Sequence, residues 1–110
     1  MEIVGATALK TLPPLYSQDA KDDPIIYVKL ASPDESWVGY LTEGARVGED
    51  FVVFGLFVGA GKSWGQLSVK KLEEGLHNAG ISAHEEMSFH PTPLSHVAGF
   101  RRPRRMRLAV

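Results

Sequence analysis

Gly59-Ala60-Gly61-Lys62-Ser63 is the stretch that comes nearest to a chemical signature. A phosphate-binding loop needs Gly, four residues, then Gly-Lys-Ser, so that backbone N–H groups curl around a phosphate at a helix N-terminus. The first glycine would fall at position 56, which is Leu56, and Gly55 is one residue too early. Trp64 and Gly65 would also make a poor first helical turn. The stretch therefore reads as a glycine-rich hairpin turn with a solvated lysine. The four histidines, His77, His84, His90 and His96, fall within twenty residues. No two are spaced by three or four, as a zinc-binding pair on a helix would be. His84 and His90 share strand parity but would lie about 20 Å apart on an extended chain. No metal and no other cofactor is expected.

Acidic doublets occur at Asp22-Asp23, Asp34-Glu35, Glu49-Asp50, Glu73-Glu74 and Glu85-Glu86. Adjacent acids in a strand point to opposite faces, so a doublet does not supply the convergent carboxylates of a general acid/base pair. No serine stands in a Gly-x-Ser-x-Gly setting, so a nucleophile elbow is absent. No catalytic residue is assigned.

Charge is the stronger signal. Residues 1–100 hold seven Lys or Arg against thirteen Asp or Glu, and residues 101–110 hold five arginines and no acid. An acidic body joined to a basic tail is two electrostatic objects on one chain. Asp22, Asp23, Glu49 and Asp50 are the candidate acids for a protein partner. Arg101, Arg102, Arg104, Arg105 and Arg107 are the candidate nucleic-acid contacts, able to neutralise backbone phosphates with release of counterions. No aromatic residue is interleaved with them to stack bases.

The elements that position these groups can be read from spacing. The chain has 110 residues, 44% hydrophobic and 23% charged, enough for one domain that buries roughly 65% of its unfolded surface. Residues 3–10 suggest a short helix stopped by Pro13 and Pro14. Residues 25–31 read as a strand, as do about 37–42, 51–58, 63–67 and 84–90. The run 51–58 is apolar on both faces and suits a central strand. Residues 43–50 read as a loop. Ser68 is placed to cap a helix over about 69–79, with Val69, Leu72 and Leu76 on one stripe and Gly80 as its stop. The expectation is an α+β domain over residues 1–97. It has a mostly antiparallel sheet of four to five strands, one main helix on one face and a short N-terminal helix. Residues 98–110 form a basic tail.

Cysteine is absent, which fits a reducing compartment. No apolar run approaches the ~20 residues of a membrane helix. The start, MEIVGATALK, carries an acid where a secretion signal would carry a base. The expected location is cytoplasmic, with no membrane partner.

With these residues in place, the chain resembles a family of small proteins of unknown function, carried largely by plasmids, phages and other mobile elements. The resemblance rests on Leu12-Pro13-Pro14-Leu15-Tyr16-Ser17-Gln18, then Asp23-Pro24 leading into Tyr27-Val28-Lys29. It continues through Pro33-Asp34, Trp37, Tyr40, Thr42-Glu43, Phe54-Gly55-Leu56 and Val58-Gly59. Gly65, Leu67-Ser68, Leu72-Glu73, Phe89 and Pro91 complete it, over roughly residues 11–97. The chain departs from the family pattern at Gly39, where a second aromatic is usual, and at Glu86. The resemblance implies a fold and a genomic setting but no catalytic residues.

The expected function is that of a non-enzymatic accessory protein of a mobile element that binds a macromolecular partner. An inhibitor of a host defence complex, of the anti-CRISPR or anti-restriction type, is the specific form: an acidic body can occupy a basic nucleic-acid site. The first alternative is direct nucleic-acid binding through the arginine tail. The second is a small hydrolase or nucleotide-binding enzyme with a site that sequence does not reveal. A homodimer is compatible with all three.

Overall fold

In the computed structural model, which describes residues 6–98, the chain begins with helix α1 (Ala6–Thr11), followed by strands β1 (Ile25–Ile26) and β2 (Val28–Ala31). Then come β3 (Val38–Val47), β4 (Asp50–Val58), β5 (Lys62–Ser68) and helix α2 (Val69–Asn78). Strands β6 (His84–Glu85) and β7 (Thr92–Pro93) and helix α3 (Leu94–Ala98) close the described chain. A five-stranded sheet runs β5-β4-β3-β2-β6, and β1 pairs with β7 in a two-stranded sheet. Every pairing is antiparallel. The class is thus the expected one, α+β with a mostly antiparallel sheet.

Where expectation and structure differ, non-local pairing is the reason. Residues 43–50 are no loop. Both arms belong to a β3–β4 hairpin, turned by Gly48 at φ +62. The strand expected over 25–31 is split, because Tyr27 donates its N–H to the Leu41 carbonyl and leaves β1 and β2 in different sheets. The strand expected over 84–90 stops at Glu85. The chain turns there, and Phe89 N–H reaches back to the Glu86 carbonyl.

The two faces of the large sheet have different contents. On the first, Val28, Leu30, Leu41 and Val53 pack with Val69, Leu72 and Leu76 of α2, along with Leu12 and Ala83. Helix α2 forms there because its three buried residues recur at helical spacing and Ser68 accepts from the Lys71 N–H at its start. On the second, Ile26, Leu56 and Leu94 form a smaller cluster, flanked by Tyr40, Val58, Trp64 and Phe89. Register aligns Lys29 with Tyr40, Tyr40 with Leu56, and Leu56 with Trp64, so these four share the second face.

A bulge between Leu41 and Glu43 breaks the β3–β4 register. It presses β3 onto β4 so closely that a Cβ at Gly55 would stand 2.0 Å from the Tyr40 carbonyl oxygen. Only glycine fits there.

Candidate functional site

The bulge places Thr42 and Glu43 in the interior, where both are almost wholly shielded from solvent. Glu43 grips the preceding loop: Oε1 accepts the Tyr16 N–H and Oε2 the Gln18 N–H, each at 2.8 Å. Tyr16 adopts a left-handed backbone, φ 72, which turns its N–H toward the carboxylate. That conformation is costly for a residue with a side chain and is held here by the surrounding bonds. The buried Gln18 amide continues the network. Its Oε1 accepts from Ile25 N–H at 2.7 Å, and its Nε2 donates to the carbonyls of Ile25 and Thr42 at 3.0 and 2.9 Å. Thr42 Oγ1 donates to the Phe54 carbonyl at 3.1 Å. Residues 12–25 are thereby fastened to β3. The Tyr16 ring stands at the surface, with its hydroxyl 3.2 Å from Gln66 Oε1.

Beside this network the second face carries charge. The Lys29 ammonium lies 3.5 Å from Glu35 Oε2 and 3.4 Å from Glu86 Oε1. Burial alone would lower its pKa, but Glu86 and Glu35 outweigh it and hold Lys29 above its usual range. Tyr40 is next to it, and burial pushes its phenol up. Phe54 and Trp64 stack at 5.7 Å with their planes 28° apart. The result is a half-buried aromatic surface of Tyr40, Val58 and Trp64, bordered by Glu35, Glu86 and Tyr16.

The four acids proposed from sequence are not equivalent. Asp22 and Glu49 are exposed. Asp23 bonds the start of α3, with Oδ1 accepting Ser95 N–H at 2.8 Å and Oδ2 the Ser95 hydroxyl at 2.6 Å. Asp50 accepts from the Ser68 hydroxyl, from Phe51 N–H at 2.7 Å and from Lys70 N–H at 3.4 Å. Its carboxyl is held below the usual range, first by Ser68 and then by Phe51. Asp34 is likewise held low, by the Ser36 N–H and then by the hydroxyls of Ser36 and Ser32. Three doublets thus divide labour: Asp23, Asp34 and Asp50 hold backbone, while Asp22 and Glu49 face water and Glu35 faces Lys29. The five tail arginines, Arg101 to Arg107, lie outside the described residues.

Gly59 to Gly61 form the turn between β4 and β5, and Lys62 opens a strand. A phosphate loop requires a helix N-terminus at that point. All four histidines are exposed, and no group of three or more metal-type ligands occurs among the described residues. No described helix is long and apolar enough to cross a membrane. An open hollow of about 390 Å³ lies between Ser32–Ser36 and Gly80–Ser82. Asp34 lines it and is already committed to its own turn, while Glu35 is not among the lining residues.

Sequence reasoning missed Glu43, Gln18 and the Lys29–Tyr40 pair. Their one trace was a place in the family-like motifs, which include Gln18, Lys29, Tyr40 and Thr42-Glu43. No family model, no curated protein and no solved structure matches the chain.

Proposed function

We propose that this protein is a non-enzymatic accessory protein of a mobile genetic element that binds a macromolecular partner through the second face of its sheet. The observation that carries the reading is the half-buried Tyr40–Val58–Trp64 surface with Glu35 and Glu86 at its border. Tyrosine and tryptophan are favoured at the centre of protein interfaces, with charge at the rim. The directions of the pKa shifts support it. Lys29 and Tyr40 move up, and Asp34 and Asp50 move down. Each change fortifies the charge state already held at pH 7, whereas a proton-transfer group is tuned toward neutrality.

The specific form of the reading is an inhibitor of a host defence complex, acting in the cytoplasm. Its support is the excess of thirteen acids over seven bases through residue 100, which suits a basic nucleic-acid site. The genomic setting rests on the ordered motifs from Leu12 to Pro91. The test is affinity capture from the host followed by association kinetics with Asp22→Lys/Glu49→Lys. The double variant should keep its circular dichroism, bind more slowly and lose most of the salt dependence of the wild type. Full activity of the charge-reversed protein together with an empty partner list would defeat the reading.

A second reading has its own observation, five arginines within residues 101–110. Direct nucleic-acid binding through them would weaken steeply with salt and disappear on deleting that segment.

A further inference from the structure

The two edges of the large sheet are built differently. The β6 edge has two residues, after which the chain turns away. The β5 edge has seven, pairs with β4 without a break from Val52–Ser68 to Val58–Lys62, and meets no further strand among the described residues. Natural sheets blunt such an edge with proline, a bulge, inward charges or shortness. β5 has no proline and no bulge, and its single charge, Lys62, stands at one end. Alternate residues of an edge strand point N–H and C=O outward, ready to pair.

We infer that β5 is a dimerisation edge, which pairs antiparallel with β5 of a second copy of this chain around a two-fold axis at Gly65. The strand is self-complementary in that register. Lys62 falls opposite Ser68 of the second copy, Ser63 opposite Leu67, Trp64 opposite Gln66, and Gly65 opposite its own equivalent. All seven residues are used and no like charges meet. At the axis the strand is bare: a Cβ on Gly65 would touch nothing within 4 Å. The two sheets join into one of ten strands. The register also brings Trp64 of the aromatic surface opposite Gln66 of the second copy, whereas position 65 lies on the other face with Ser63 and Leu67, so a substitution there leaves the aromatic side chains themselves unchanged.

Sedimentation equilibrium over a wide concentration range tests this. The wild-type mass should rise with concentration toward twice that of one chain. Gly65→Lys has room in the monomer but sets two lysines opposite each other, with Cβ atoms about 4.5–5.5 Å apart. It should weaken self-association at least tenfold. A second pair of variants decides the matter should that protein fold poorly. The chain has no cysteine, so Gly65→Cys introduces a single thiol that should oxidise to a covalent dimer. Gly61→Cys, also in open space, should not, since the two thiols would lie about 26 Å apart at strand rise. A wild type that stays monomeric at every concentration overturns the inference. So does a dimer unaffected by Gly65→Lys, or equal cross-linking of the two cysteine variants.

Discussion

The first face of the sheet is an aliphatic core, and the second is a mixed surface with a carboxylate inside it. Leu30, Leu41 and Val53 on the first are fully shielded and meet aliphatic side chains of α2. The second fastens two long connections, residues 12–25 by Glu43 and Gln18, and the chain beyond Glu85 by Phe89, Leu94 and Asp23. Apolar contact alone tolerates repacking, whereas a network of directed bonds specifies one arrangement of the loops. The contrast assigns stability to the first face and the shape of the exposed surface to the second.

The largest effects should come from breaking each face at its centre. Leu30→Ala leaves a cavity and should cost about 2–5 kcal/mol. Glu43→Ala leaves the buried Gln18 N–H and the partly buried Tyr16 N–H without their acceptor and should cost a similar amount, roughly 2–5 kcal/mol. Limited trypsin digestion separates the two outcomes. Glu43→Ala should speed cleavage at the exposed Lys21 well before global unfolding, and Leu30→Ala should not. Equal protection of Lys21 in both variants would mean that Glu43 does not hold the loop.

Next comes a pair of cross-strand neighbours, Gly55 and Gly65. Gly55→Ala drives a methyl group into the Tyr40 carbonyl and must displace the bulge, at a cost of about 1–3 kcal/mol or more. Gly65→Ala enters open space and should be neutral or stabilising by about 0.5–1 kcal/mol. Thermal melts of the two variants check this. A harmless Gly55→Ala would show that the bulge can slide.

Much of the first face could be read from the chain, because its signals are local. Val69, Leu72 and Leu76 repeat at helical spacing, Ser68 caps its own helix, and the run 51–58 is apolar throughout. The second face depends on partners distant in sequence. Asp23 bonds Ser95 across 72 positions, and Glu43 bonds Tyr16 across 27. Nothing local distinguishes a buried glutamate from a solvated one when its donors lie in another segment. The same cause hid the outer half of the β3–β4 hairpin, where Glu43, Gly44 and Arg46 make residues 43–47 look like a loop until β4 lies beside them.

A smaller effect is expected at the cap of α2, where Asp50 on the hairpin meets Ser68. Ser68→Ala should cost about 1 kcal/mol. Asp50→Asn should cost less as the pH falls, and the sign follows from its depressed pKa. The stabilisation is complete above the unfolded value of 3.8 and is lost as pH falls through the lower folded value. Urea melts of wild type and variant should therefore differ at pH 7 and converge below about pH 4. A constant difference across that range would remove Asp50 ionisation as the cause.

The smallest effect on stability, and the sharpest on the division of labour, concerns Lys29. Glu35 and Glu86 reach it from the solvent side, with side-chain exposures of 58% and 40%. Pairs of that kind contribute only about 0.2–1 kcal/mol. Lys29→Met keeps the length of the stem, so the melting temperature should fall by no more than a few degrees. Because the Lys29 pKa is raised, its contribution is complete below the unfolded value of 10.5 and is lost as pH rises through the folded one. The difference between wild type and Lys29→Met should thus be flat from pH 6 to 9 and narrow only in strong alkali. Binding should respond in a different way. Without the ammonium, Glu35 and Glu86 are no longer neutralised or held over Tyr40, and the border of the aromatic surface becomes more negative and less ordered. Association with a basic partner should become faster and its dissociation faster too, since charge governs encounter and fixed geometry governs residence. A variant with wild-type dissociation would show that Lys29 serves only the fold, and the partner surface would then have to lie elsewhere on the sheet.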